Sequence, residues 1–203
     1  MTFWNRLAAV LVLETGLVVG AAAADIVVAE SQVPEGRAQS GIVFGKNSDY
    51  WEFRLGGGAY DWGPATPSDF TGGTVNLEFL TPSPDFLSFI GSPRPIIGAD
   101  LAISDNAIQV VYAGLNWEAY LTRKFYIGFS GGGSWNSSPQ TGTPGGAYKD
   151  LGSEWLFFLQ ASIGYDITAN TTIQIYYNHF SNANIDDSNP GLESVGARLG
   201  YRF

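Results

Sequence analysis

Cysteine is absent from the 203 residues and histidine occurs once, at position 179. An exported chain without thiols has no disulfide staples, so closure of a sheet has to supply its stability. One imidazole and no thiolate leave only scattered carboxylates for a metal, and neither a metal nor another cofactor is expected. Long apolar runs are missing as well. Beyond residue 24 none approaches the roughly 18 residues a transmembrane helix needs, so residence in a membrane has to use strands. Charge is sparse, at 14% of residues, and its balance of −9 comes with no basic cluster, which argues against nucleic acid as a partner.

What is present is equally uneven. There are 26 Gly, 6 Trp, 10 Tyr and 13 Phe, and mean hydropathy is near zero despite the low charge. Strands with one apolar and one polar face average to such a value. Residues 1–24 read as a secretory signal: Arg6 gives the positive start, Ala8 to Val19 the mostly apolar run, and Ala22-Ala23-Ala24 the small-residue cleavage site before Asp25. Glu14 interrupts that run and argues against a retained membrane helix. Residues 25–49 are expected to form a periplasmic segment, with Gly41–Gly45 a candidate short strand, and 50–203 a single domain.

Eight strands with period-two alternation are predicted in that domain: Tyr50–Tyr60, Gly73–Leu80, Pro95–Ile103, Ala107–Tyr120, Lys124–Ser134, Asp150–Asp166, Asn170–Ser181 and Leu192–Phe203. In the last, Val195, Ala197, Leu199, Tyr201 and Phe203 share one face, and Ser194, Gly196, Arg198, Gly200 and Arg202 the other. Glu52, Arg54, Glu78, Asp100, Glu118, Glu154 and Gln160 fall on the non-apolar parity of their own strands, opposite Trp51, Phe53, Leu77, Trp117, Phe129, Trp155 and Leu159. Charges and small residues filling a lumen behind an aromatic exterior predict an all-β fold, an eight-stranded antiparallel transmembrane β-barrel of the bacterial outer membrane. A soluble sandwich or lipocalin-like barrel fits the strand pattern but leaves the inward charges and aromatic exterior unexplained. The Tyr-x-Phe ending resembles the terminal signal of outer-membrane barrels. Leu121–Arg123 and Ile167–Ala169 are short connections and Trp135–Tyr148 a long one, which puts the loop Asn182–Gly191 on the extracellular side.

The chemistry concentrates in the last two strands. Ile173, Ile175 and Tyr177 set the lipid-facing parity of the seventh strand, and His179 and Ser181 continue it. Residues i and i+2 on one face sit roughly 6.5–7 Å apart, close enough for an imidazole to lean toward a hydroxyl. Stepping back two from Val195 brings Glu193 to the same outer surface on the adjacent strand. Each residue alone has an ordinary reading: His179 as an interfacial polar group, Ser181 and Asn182 as the opening of a loop, Asn189-Pro190-Gly191 as turn chemistry, Glu193 as a solvated strand start. Together, ionisable groups facing lipid are costly and point to work on a lipid.

The run His179-Phe180-Ser181-Asn182-Ala183, followed by Asn189-Pro190-Gly191-Leu192-Glu193 and the terminal strand, resembles the lipid A 3-O-deacylases of the PagL type. The resemblance covers about the last quarter of the chain. It implies an outer-membrane serine esterase with Ser181 as nucleophile, His179 as general base and Glu193 as the acid that orients the imidazole. It further implies an oxyanion hole from the Asn189 side chain and the main-chain amide of Asn184, with Asn182 and Gly191 supporting the loop. The substrate would be lipid A of the outer leaflet; dimerisation is left open. Where the family usually has Gly this chain has Asn184, a residue that tolerates a left-handed backbone. Three readings compete: an outer-membrane phospholipase, a non-catalytic structural or adhesive barrel, and a pore, the last weakened because side chains fill an eight-stranded interior.

Overall fold

The computed structural model describes residues 41–66, 72–103, 107–138, 140–142 and 148–203. The expected leader, residues 1–24, and most of the segment that follows lie outside these. Among the described residues eleven strands run in chain order: β1 (Val43–Phe44), β2 (Glu52–Tyr60), β3 (Gly73–Leu80), β4 (Arg94–Ile103), β5 (Val110–Tyr120), β6 (Phe125–Asn136), β7 (Gln140–Gly142), β8 (Tyr148–Asp150), β9 (Trp155–Asp166), β10 (Thr171–Ser181) and β11 (Leu192–Arg202). Eight of them, β2 to β6 and β9 to β11, each pair antiparallel with the next, and β11 returns to β2 from Ser194↔Tyr60 to Arg202↔Glu52, which closes a barrel. The ladder runs on past the last strand residue, with Trp51 and Phe203 exchanging both main-chain hydrogen bonds. Closure gives each of the eight a paired strand on both sides. Where β4 stops pairing with β5 at Asn116, β1 takes up the exposed edge at Ala119 and Tyr120.

Alternation decides which side chains go in. Along β9 every residue from Trp155 to Asp166 alternates between exposed and buried, and the outward set includes Phe157, Leu159, Ile163 and Tyr165. Inside, Arg54 reaches Glu52 (2.7 Å), Glu78 (3.2 Å) and Glu118 (2.6 Å), and Arg202 reaches Glu52 (3.1 Å) and Asp166 (2.8 Å). Arg198 pairs with Glu78. Arg94, just outside the third predicted strand, which is expected to begin at Pro95, opens β4 and joins the network through Glu52 and Glu118. Buried charge is tolerable here because each guanidinium lies within ion-pair distance of a carboxylate, and Arg198 also donates to the side-chain oxygens of Gln174, Asn76 and Gln160.

Three expectations are corrected. Glu154 is exposed and precedes its strand: Gly152, at φ +77°, breaks the chain after Asp150, so β9 begins only at Trp155. Its carboxylate accepts from Trp135 Nε1 at 3.4 Å instead of entering the lumen. The fourth predicted strand begins at Val110, not Ala107, because the Ile108 amide donates to the Tyr60 hydroxyl (2.8 Å) rather than to a ladder. The lumen is also not polar throughout. At the end carrying the 182–191 loop it is plugged by Tyr60, Ile108, Tyr112, Phe158, Phe180 and Leu192, with Tyr112 stacked on Phe158 and Phe158 on Phe180.

Candidate active site

Phe180 is the inward residue between His179 and Ser181. Its burial in the plug fixes the β10 backbone, so the two polar neighbours must face outward. His179 lies opposite Glu193 of β11 and Leu159 of β9, and directly opposed residues have Cβ atoms about 4.5–5.5 Å apart. Across that distance His179 Nδ1 stands 3.1 Å from Glu193 Oε1, leaving Nε2 as the ring nitrogen available to another partner. Ser181, half-buried on the same face, is opposed by Phe157, and among the described residues its hydroxyl has no hydrogen-bond partner, His179 included.

Glu193 keeps its outward parity yet is only 1% exposed. The sequence reading leaves it facing lipid; what covers it is the connection after β2. The amides of Ala65 and Thr66 donate to Oε2 at 3.2 and 3.1 Å, and the Trp62 amide donates to the main-chain carbonyl of Glu193 at 3.3 Å. Gly63 lies so close that a Cβ there would overlap the carboxylate. Tyr177, two residues before His179, donates its hydroxyl to Oε1 and stands 3.5 Å from His179 Nδ1. Gly191 packs beside the imidazole edge with φ +69°, and a side chain there would meet Thr66 Cγ2 at 2.6 Å.

The loop after Ser181 is organised by Asn182, which is 3% exposed. Its Nδ2 donates to the carbonyls of Leu151 (2.9 Å) and Ser188 (2.7 Å), and its Oδ1 accepts from the Asn184 amide (2.9 Å). Ala183 and Asn184 both take positive φ, 56° and 61°, and Ile185 N returns to the Asn182 carbonyl. That is the pattern of a type I′ turn, in which both central residues must be left-handed. Asn189 is brought alongside: its Oδ1 accepts from the Asn182 amide (3.0 Å) and its Nδ2 donates to Asn184 Oδ1 (3.1 Å). The sequence thus brings His179 and Glu193 into contact and gathers Asn182, Asn184, Asn189 and Gly191 around Ser181. It does not join Ser181 to His179, and the Asn184 amide is engaged by Asn182. Tyr177 and the Gly63–Thr66 segment were missed as site residues. Tyr177 read as one more lipid-facing aromatic, and the segment lies more than 120 residues from Glu193 with no motif of its own.

Beside Ser181 a cleft of about 400 Å³ opens along the outer wall, lined by Gly133, Ser153, Trp155, Phe157, Asn182 and Ile185. Gly133 presents no side chain and leaves open space above its Cα. An uncommitted hydroxyl, an imidazole tied to a buried carboxylate and an adjoining apolar cleft make an arrangement suited to attack on an ester that carries a hydrocarbon chain.

The family model for lipid A 3-O-deacylase (PagL) matches residues 97–202, a little over half of the chain, and includes His179, Ser181 and Glu193 but not the 61–66 segment. The lipid A deacylase PagL of Bordetella bronchiseptica is 39% identical over 57 residues, a match spanning 28% of this chain and about a third (32%) of that protein. The crystal structure of the outer membrane enzyme PagL superposes with a TM-score of 0.54 at 15% identity, covering 74% of this chain and 98% of that one. Neisserial surface protein A superposes at 0.50 with 11% identity, over 80% and 99%. At these identities the two structures speak for the fold, that of small outer-membrane barrels. The family match, running through the residues that build the outer-wall site, carries the assignment: the chain belongs to the lipid A 3-O-deacylase (PagL) family.

Proposed function

We propose that the protein is an outer-membrane serine esterase that removes the ester-linked acyl chain at the 3-position of lipid A, working from the barrel's outer wall at the level of the outer leaflet. The observation that carries this reading is the contact of His179 Nδ1 with Glu193 Oε1, with Ser181 next on the same outward face. In this scheme Glu193 holds the tautomer that keeps Nε2 unprotonated. Rotation of the uncommitted Ser181 hydroxyl brings it to Nε2, which takes the proton as Oγ attacks the acyl carbonyl carbon. The oxyanion is met by the Asn189 Nδ2 hydrogen not used by Asn184, and by the Asn184 amide once it turns from Asn182. Collapse breaks the bond between acyl carbon and sugar oxygen, and the imidazolium returns its proton to that oxygen. Water, deprotonated by His179, then hydrolyses the acyl-serine and frees the fatty acid. The lumen is filled by ion pairs and aromatics, so substrate reaches the site laterally through the membrane, its released chain lying along the cleft beside Phe157.

Mass spectrometry of lipid A from cells with and without the protein tests the reading. Expression should remove one 3-position acyl chain, and Ser181→Ala or His179→Asn should each restore the intact species while the barrel still assembles, because nucleophile and base act as a unit. Unchanged lipid A on expression, or full activity in Ser181→Ala, would overturn it. Loss of acyl chains from glycerophospholipids instead would move the protein to the phospholipases.

A further inference from the structure

A carboxylate on the outer parity of a membrane barrel is costly unless its oxygens are satisfied and shielded from hydrocarbon. The two oxygens of Glu193 are held from different sides. Oε2 is held by the amides of Ala65 and Thr66 at 3.2 and 3.1 Å. Oε1 is shared between His179 Nδ1 (3.1 Å) and the Tyr177 hydroxyl, with the Ala65 amide more distant at 3.3 Å. Tyr177 is one outward step along β10 from His179, toward the middle of the strand, and opposes Val195. Its ring is 6.4 Å from the imidazole, tilted by 34°. The phenol therefore sits between Oε1 and the hydrocarbon side of the site.

We infer that Tyr177 is a positioning residue of the triad: its hydroxyl fixes Glu193 Oε1, and through it the His179 tautomer with the proton on Nδ1. This rests on the proposed esterase reading. Tyr177 acts through Glu193 and exchanges no proton with substrate. Without its hydroxyl the carboxylate can swing about the edge still held by the loop amides, and the imidazole loses its fixed acceptor. The Nε2 lone pair that Ser181 needs is then present in only part of the population. An aromatic residue serving only to anchor the barrel at the membrane interface would keep its role as Phe, since the ring is unchanged. The hydroxyl separates the two roles.

The chain's single histidine makes the test direct. In full-length protein carrying ¹⁵N-histidine in lipid nanodiscs, above neutral pH, the ring nitrogens of the parent should resolve as a protonated Nδ1 and a bare Nε2. Tyr177→Phe should move both resonances toward tautomer-averaged positions and lower kcat for lipid A by about tenfold or more, the scale of loss when the outer-shell partner of a metal-ligating histidine is removed, with KM changed far less than kcat. Glu193→Gln should cause a similar averaging, and adding Tyr177→Phe to it should cause no further loss, as expected for two residues acting in series. Parent-like ring resonances and kcat in Tyr177→Phe would overturn the inference, as would additive losses in the double variant. A parent that shows the ordered tautomer and loses it in Tyr177→Phe, yet releases no fatty acid from lipid A, would uphold the positioning and sink the deacylase reading.

Discussion

Asn182 organises the loop after Ser181, with one side chain settling several backbone groups at once. Its amide satisfies two carbonyls, and its oxygen satisfies the Asn184 amide. Asn182→Ala would strand two acceptors and a donor, at about 1–3 kcal/mol for each that stays buried and unpaired. Asn182→Asp would be no better, because an acceptor would then face the carbonyls of Leu151 and Ser188. Both variants should melt earlier than the parent by circular dichroism and lose most deacylase activity. A fully active Asn182→Asp would show that the loop is held by something else. Residue identities were legible here because period two puts His179, Ser181 and Glu193 on one face. The Tyr177 hydroxyl was not, since its contact runs diagonally across two strands and depends on a register that pattern alone does not state.

The element that most changes the picture is the connection after β2. Trp62 extends the pairing of β2 with β11 by one hydrogen bond, after which the chain folds over Glu193. Asp61, left-handed at φ 50°, anchors the turn through a buried ion pair with Lys149 at 2.5 Å. Gly63 is then obligatory for a steric reason, since any Cβ would push into the carboxylate. Gly63→Ala should reduce kcat by roughly 10–100-fold, the range for lost support of an orienting partner, while heat-modifiable migration on gels stays that of a closed barrel. Unaltered turnover would mean that the loop covers the site without shaping it. Strand existence and facing were readable from alternation for all eight barrel strands. Boundaries slipped where a local exception overrode the pattern, at Gly152 before β9 and at the Ile108–Tyr60 bond before β5. The cover over Glu193 was unreadable for a different reason: backbone amides carry no side-chain signature, so a loop that binds through them leaves no mark in composition or spacing.

At the scale of the whole molecule, charge is sorted by position. The guanidinium groups of Arg54, Arg94, Arg198 and Arg202 are consumed inside the barrel. At the end that carries the site, the described connecting residues include the carboxylates of Asp61, Asp150, Glu154, Asp186 and Asp187. They include one ammonium, Lys149, which is buried against Asp61. Lys46, Arg123 and Lys124 lie at the opposite end. If the substrate is a phosphorylated glycolipid, its headgroup approaches a rim of its own sign, and the attraction has to come from the acyl chains along the apolar wall. Repulsion between exposed charges is screened as the Debye length contracts from about 30 Å at 10 mM salt to about 8 Å at 150 mM. KM for lipid A in mixed micelles should therefore fall as NaCl rises over that range, the opposite of an enzyme that captures phosphate through lysine or arginine. Asp186→Asn with Asp187→Asn should flatten the dependence by removing two of the exposed charges nearest the cleft. A KM that climbs with salt would show that the headgroup is met by cationic groups, and that the apolar wall is not what draws the substrate in.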